Sequence, residues 1–125
     1  MDTYCKVFVQ GVTDRNGLIQ LVAQILEGQV ERRTVEGSGL SVDVNKNEYC
    51  DPQAASRGDE QFINFPFYLD LEPIGGIKSD ESYIAGVEFF LDGLRAAGQT
   101  FVTACDFEDE LRDKGASPPR QSRPN

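Results

Sequence analysis

The sequence predicts an α+β fold: a two-layer, ferredoxin-like sandwich with a mainly antiparallel sheet of about five strands and two helices on one face, in the order β-α-β-β-β-α-β. Three observations predict it. Two stretches carry apolar residues at helical spacing, and several others alternate apolar and polar side chains with a period of two. Gly, Pro, Asn and Ser punctuate the boundaries between them. The 125 residues, with 39% hydrophobic and 26% charged, suit one globular domain that buries a core without disulfides or metal.

Residues 4–9 place Cys5, Val7 and Val9 on one side and Tyr4, Lys6 and Phe8 on the other, which reads as a strand. Thr13, Asp14 and Asn16 are candidate N-caps for a helix whose stripe is Leu18, Leu21, Val22 and Ile25, widened by Ile19 and Leu26. Gly28 is placed to end it in a left-handed conformation. Residues 29–36 read as one solvated strand, turned at Gly37, Ser38 and Gly39 into a partner with Leu40, Val42 and Val44 on one face. Residues 45–60 have no period. Residues 61–72 read as a long strand with Phe65, Phe67, Leu69 and Leu71 on one face, and Pro66 marks an edge or bulge. Ser79 or Ser82 caps a second helix carrying Ile84, Val87, Leu91 and Leu94, broadened by Tyr83 and Phe90 and ended near Gly98. Residues 101–107 form the last strand. The globular body is read as 1–111, followed by a flexible basic Pro/Ser/Arg tail over 112–125. In this topology the first and last strands are antiparallel neighbours, which sets Cys5 beside Cys105.

Histidine is absent and acids outnumber bases 21 to 12, which removes the commonest general base and metal ligand. Residues 112–125 hold four bases and one acid, so the formal −9 leaves −12 on residues 1–111. Such a body repels phosphate backbones and anionic lipid, so neither nucleic acid nor membrane is expected as a partner. A basic protein is the natural complement. The N-terminus lacks the pattern of a signal peptide, no apolar run is long enough to span a bilayer, and three cysteines form no CxxC pair. A cytoplasmic location with reduced thiols fits these features.

Each chemical motif meets a simpler reading. Asp43, Asn45 and Asn47 open like an EF-hand loop, but Glu48 stands where glycine is required and Ala54 where a bidentate glutamate is required. Asp106, Glu108, Asp109 and Glu110 gather four carboxylates at the end of the last strand, with Asp70 and Glu72 able to join them only if the strand ends meet. Close carboxylates hold Mg²⁺ or shift one another's pKa, and a solvated acidic rim is the plainer reading. Cys50 lies outside the strands but lacks a neighbouring base, and Glu48 and Asp51 disfavour its thiolate. Arg57, Gly58 and Asp59 spell a three-residue adhesion motif, a weak match.

The expected function is therefore a small non-catalytic protein-binding module, in its sharpest version an inhibitor of the immunity type that neutralises a basic partner such as a nuclease toxin. Its contact residues would be Glu48, Tyr49, Asp51, Asp59 and Glu60 in the long loop, with Asp106, Glu108, Asp109 and Glu110 at the strand end. No catalytic residue, metal ligand or cofactor is assigned, and a homo-oligomer is compatible. The alternative is a ligand-sensing domain, with a small molecule held between sheet edge and loop, in which Phe8 and Tyr68 line a cavity or a subunit interface. A carboxylate enzyme using Asp106 and Glu108 is the third class.

Overall fold

A computed structural model describes residues 2–12, 14–48, 65–75 and 79–118. Seven strands and two α-helices run through the described residues: β1 Cys5–Gln10, α1 Arg15–Leu26, β2 Gln29–Glu31, β3 Thr34–Gly37, β4 Leu40–Lys46, β5 Phe67–Pro73, α2 Asp80–Ala96, β6 Thr100–Cys105 and β7 Ala116–Ser117. Two short 3-10 turns, Glu108–Glu110 and Arg112–Gly115, join β6 to β7. The strands form one open sheet in the order β2-β3-β4-β5-β1-β6-β7, with every neighbouring pair antiparallel.

Cys5, Val7 and Val9 on β1, Val42 and Val44 on β4, Leu69 and Leu71 on β5 and Phe101 on β6 alternate inward and are fully buried. Leu18, Val22 and Leu26 of α1 and Val87, Phe90, Leu91 and Leu94 of α2 complete the same core. Each such side chain contributes ~1.5–3 kcal/mol when buried. The helices meet closely at Gly93, where an added Cβ would stand 2.5 Å from Ile25 Cγ2.

The caps follow from the side chains available. Asp14 accepts from the Gly17 N–H at 2.6 Å and Ser79 from the Ser82 N–H at 3.1 Å. The left-handed residue that ends α1 is Glu27 (φ 49°), in place of the expected Gly28. Gly28 answers a different need: a Cβ there would lie 2.7 Å from the Glu36 carbonyl, so only glycine lets the chain leave α1 against β3.

The sheet exceeds the expected five strands for two local reasons. Residues 29–36 break at Arg32 (φ 59°) into the β2–β3 hairpin, because the turn lets Val30 pair with Val35. Ala116 and Ser117 then pair with β6, with Ala116 fully buried, so the packed body continues past the boundary expected at residue 111. Arg112 holds this segment to α2 through its backbone N–H to Glu88 and its guanidinium to Asp92 at 3.0 Å. Pro66 precedes β5, whose two neighbours β4 and β1 leave it no edge. The expected strand over 61–64 lies outside the described residues. The last strand stops at Cys105, and Phe107 turns into the core at the start of the first 3-10 turn. Cys5 and Cys105 are direct register partners, as the strand order requires.

Candidate functional site

The sheet face turned away from the apolar core carries a row of outward side chains set by strand alternation. Asn45 on β4 pairs in register with Tyr68 on β5, and Tyr68 pairs with Phe8 on β1. One step along β1, Lys6 stands opposite Asp70. The Lys6 ammonium lies 4.2 Å from the Tyr68 ring centre and 5.2 Å from that of Phe8, within cation–π range of both. Two aromatic faces thus hold a cation on the side of the sheet away from the helices.

Asp70 has partners of its own. Its carboxylate accepts from the Tyr4 hydroxyl at 2.6 Å and from Asn45 Nδ2 at 3.2 Å. Burial and that hydrogen bond keep the Tyr4 hydroxyl protonated above the ordinary tyrosine range. Asp43, the register partner of Asp70 on β4, accepts from the Thr34 hydroxyl. Both carboxylates are therefore engaged within the sheet.

A pocket of about 680 Å³ opens over this row, a volume usual for small-molecule sites. Among the described residues, Phe8 and Tyr68 supply its aromatic surface, Asn45 and Asn47 its amides, and Lys6, Arg15, Arg33 and Lys46 four cations, against the single acid Glu48. Four separate elements bring the cations together. Lys6 projects from β1, Arg15 opens α1 immediately after its cap, and Arg33 occupies the β2–β3 turn, where its carbonyl accepts from the Val44 N–H at 2.9 Å. Lys46 ends β4, and the chain beyond it is fixed by Asn47, whose backbone N–H donates to the Pro66 carbonyl and whose Nδ2 donates to the Phe65 carbonyl at 2.7 Å. The Asp14 carboxylate caps α1 immediately before Arg15 and offsets the positive end of the helix dipole, so the cationic character of this side comes from the side chains. None of the four cations forms an ion pair with a described residue.

Of the contact residues expected from sequence that fall among the described residues, Glu48 alone reaches this pocket. Tyr49, Asp51, Asp59 and Glu60 lie outside the described residues. Asp106, Glu108, Asp109 and Glu110 gather at the other end of β1, where Asp106 accepts from the Asp2 N–H at 3.3 Å. They do not continue the strand: Glu108, Asp109 and Glu110 form a 3-10 turn held by buried Phe107 and Leu111. Asp70 and Glu72 do not join them, because β1 lies between β5 and β6. Asp43 and Asn45 sit within strand β4, where alternation accounts for their spacing without an EF-hand loop. Among the described residues no group of three or more Cys, Asp or Glu is arranged to hold a metal ion, and no helix is long and apolar enough to cross a membrane.

Under its ligand-sensing alternative, sequence reasoning gave Phe8 and Tyr68 either a cavity or a subunit interface to line, and both border the pocket. It missed Lys6, Arg15, Arg33 and Lys46, which are scattered over forty positions and share no motif. The available signal was the outward alternation of Lys6 with Phe8 on a strand otherwise committed to the core. The pocket sits over interior strands of the sheet face and not at an edge, which differs from the site that alternative expected. Comparison of the chain with protein-family models, curated proteins and solved structures found no match.

Proposed function

We propose that this chain is a non-catalytic ligand-binding domain that holds a small anionic molecule on the outer face of its sheet. One observation carries the reading: four cationic side chains converge with two aromatic rings on one pocket, in a protein whose formal charge is −9. Gathering cations locally against that overall balance, with no ion pair to neutralise them among the described residues, favours a ligand that brings the negative charge. The two amides and the ring edges add directional contacts. The central strand order β4-β5-β1-β6, with α1 leading from β1 towards β4 and α2 from β5 to β6, supports the ferredoxin-like sandwich as the frame, with both helices packed against the opposite face.

The test is calorimetric titration of the full chain with pyrophosphate, AMP and benzoate, repeated at rising salt. Saturable binding of at least one probe is expected, weakening as salt rises. The double variant Lys6→Gln, Arg15→Gln is expected to lose roughly 10-fold or more in affinity, since a charge-assisted contact is worth ~1.5–3 kcal/mol. Absence of binding by all three probes would overturn the reading.

A second reading is favoured by the turn at the end of β6. Asp109 and Glu110 are exposed on a short turn that buried Phe107 and Leu111 anchor from both sides, so their charges are presented rigidly. This supports an acidic docking surface for a basic protein, in the manner of an immunity-type inhibitor. Reversing Asp109 and Glu110 to lysine would then slow capture of a basic partner and leave pyrophosphate binding intact.

A further inference from the structure

The two thiols at the end of the β1–β6 ladder have no part in the pocket. Cys5 and Cys105 stand directly opposite each other, and antiparallel register partners have Cα atoms about 4.5–5.5 Å apart, inside the range a disulfide spans. Directly opposed residues share a face of the sheet, so the two sulfurs meet, and their thiols share a hydrogen bond. Both cysteines are free. Their surroundings differ. Cys5 is fully buried, whereas Cys105, the last residue of its strand, is partly exposed.

We propose that Cys105 and Cys5 form a redox-modification site, in which Cys105 attacks a low-molecular-weight disulfide that reaches it from solvent and Cys5 resolves the adduct into an intramolecular Cys5–Cys105 disulfide. The Cys105 thiolate attacks one sulfur of the small disulfide; that S–S bond breaks, and the first small thiol leaves as a thiolate that takes a proton from water. Cys5 then attacks Cys105 Sγ, the mixed disulfide bond breaks, and the second small thiol leaves carrying the proton that Cys5 gives up. Two protein thiols are oxidised by two electrons, and one small disulfide is reduced to two thiols.

The asymmetry assigns the roles. The Cys105 sulfur accepts hydrogen bonds from the Cys5 thiol and from the Phe107 backbone N–H, both of which favour its thiolate. The carboxylates of Glu108 and Asp106 face it and oppose that charge, so exchange quickens as pH rises. On Cys5, the hydrogen bond to Cys105 and then burial disfavour ionisation. The Tyr83 hydroxyl also faces the pair from α2. A partly exposed thiol with a favoured thiolate beside a buried partner is the arrangement of a redox-sensing pair. The bond would close a loop of about 100 residues and tie the sheet together at that end.

The experiment uses the full chain with Cys50→Ser, folded, incubated at pH 8 with glutathione disulfide and read by mass spectrometry of the intact protein and its non-reduced peptides. The expected product has lost two hydrogens and links the Cys5 and Cys105 peptides, with a Tm raised by several degrees and restored by dithiothreitol. Adding Cys5→Ala should arrest the reaction at a glutathione adduct on Cys105. Adding Cys105→Ser should leave Cys5 unmodified. Two free thiols after the folded chain has been incubated, while the urea-unfolded chain oxidises, would overturn the proposal. Equal modification of Cys5 in the Cys105→Ser protein would overturn the assignment of roles.

Discussion

Lys6 stands with its ammonium 4.2 Å from the centre of the Tyr68 ring, on the side of the sheet away from the core. Strand alternation alone puts Lys6 there, and the β1–β5 register supplies the ring. Replacing Tyr68 by leucine removes one face of that support while keeping apolar bulk. Pyrophosphate affinity is expected to fall roughly 3- to 10-fold, because an exposed to partly desolvated cation–π contact is worth ~0.5–2 kcal/mol. Isothermal titration checks it, with unchanged Tm as the control for folding.

Glu48 separates the two readings of function. As the single acid among the described residues that line the pocket, it repels an anionic ligand, so Glu48→Gln should strengthen pyrophosphate binding about 2- to 5-fold at low salt. If Glu48 instead contacts a basic protein, the same change weakens that association. Measuring both affinities on one variant decides between them.

Two glycines on α2 should respond with opposite sign. A Cβ at Gly86 meets nothing within 4 Å, so Gly86→Ala gains helix propensity and is expected to stabilise by about 0.5–1 kcal/mol. At Gly93 the same Cβ would stand 2.5 Å from Ile25 Cγ2, a branched methyl that the α1–α2 contact holds in place. Gly93→Ala is expected to destabilise by about 1–3 kcal/mol through overpacking. Urea denaturation of the two variants reads both.

Alkaline stability should depend on Tyr83. Its hydroxyl donates to the Thr3 carbonyl at 2.6 Å, and burial, followed by the nearby Cys5 and Cys105, raises its pKa above the ordinary value of about 10. Above pH ~10 the unfolded chain releases this proton while the folded chain keeps it, so the unfolded state binds fewer protons and stability falls as pH rises. Tyr83→Phe should cost about 1 kcal/mol at neutral pH through the lost hydrogen bond and flatten the decline above pH 10. Denaturation midpoints between pH 8 and 11 give the comparison.

The local elements were legible because each rests on near-neighbour rules. The stripe Leu18, Val22 and Leu26, the cap Asp14, the alternation of Cys5, Val7 and Val9 and the turn at Ser38 and Gly39, both with positive φ, need no distant residue to explain them. The neighbouring positions of Cys5 and Cys105 also followed, because the order of two crossover helices constrains which strands pair. The split at Arg32 and the β7 pairing of Ala116 escaped notice, since both are decided by what the rest of the sheet offers as a partner.

By itself, then, the sequence determined the α+β class, the inward faces and the negative overall charge, each of which depends on composition and spacing along the chain. Tertiary structure alone decided the site. Lys6, Arg15, Arg33 and Lys46 come from a strand, a helix start, a hairpin turn and a strand end, and only the sheet register and the packing of α1 bring them to one pocket. Their charges oppose the sign of the molecule as a whole, so the overall balance of acids and bases points away from them. Local potential depends on distance in space, and neither composition nor spacing contains that distance.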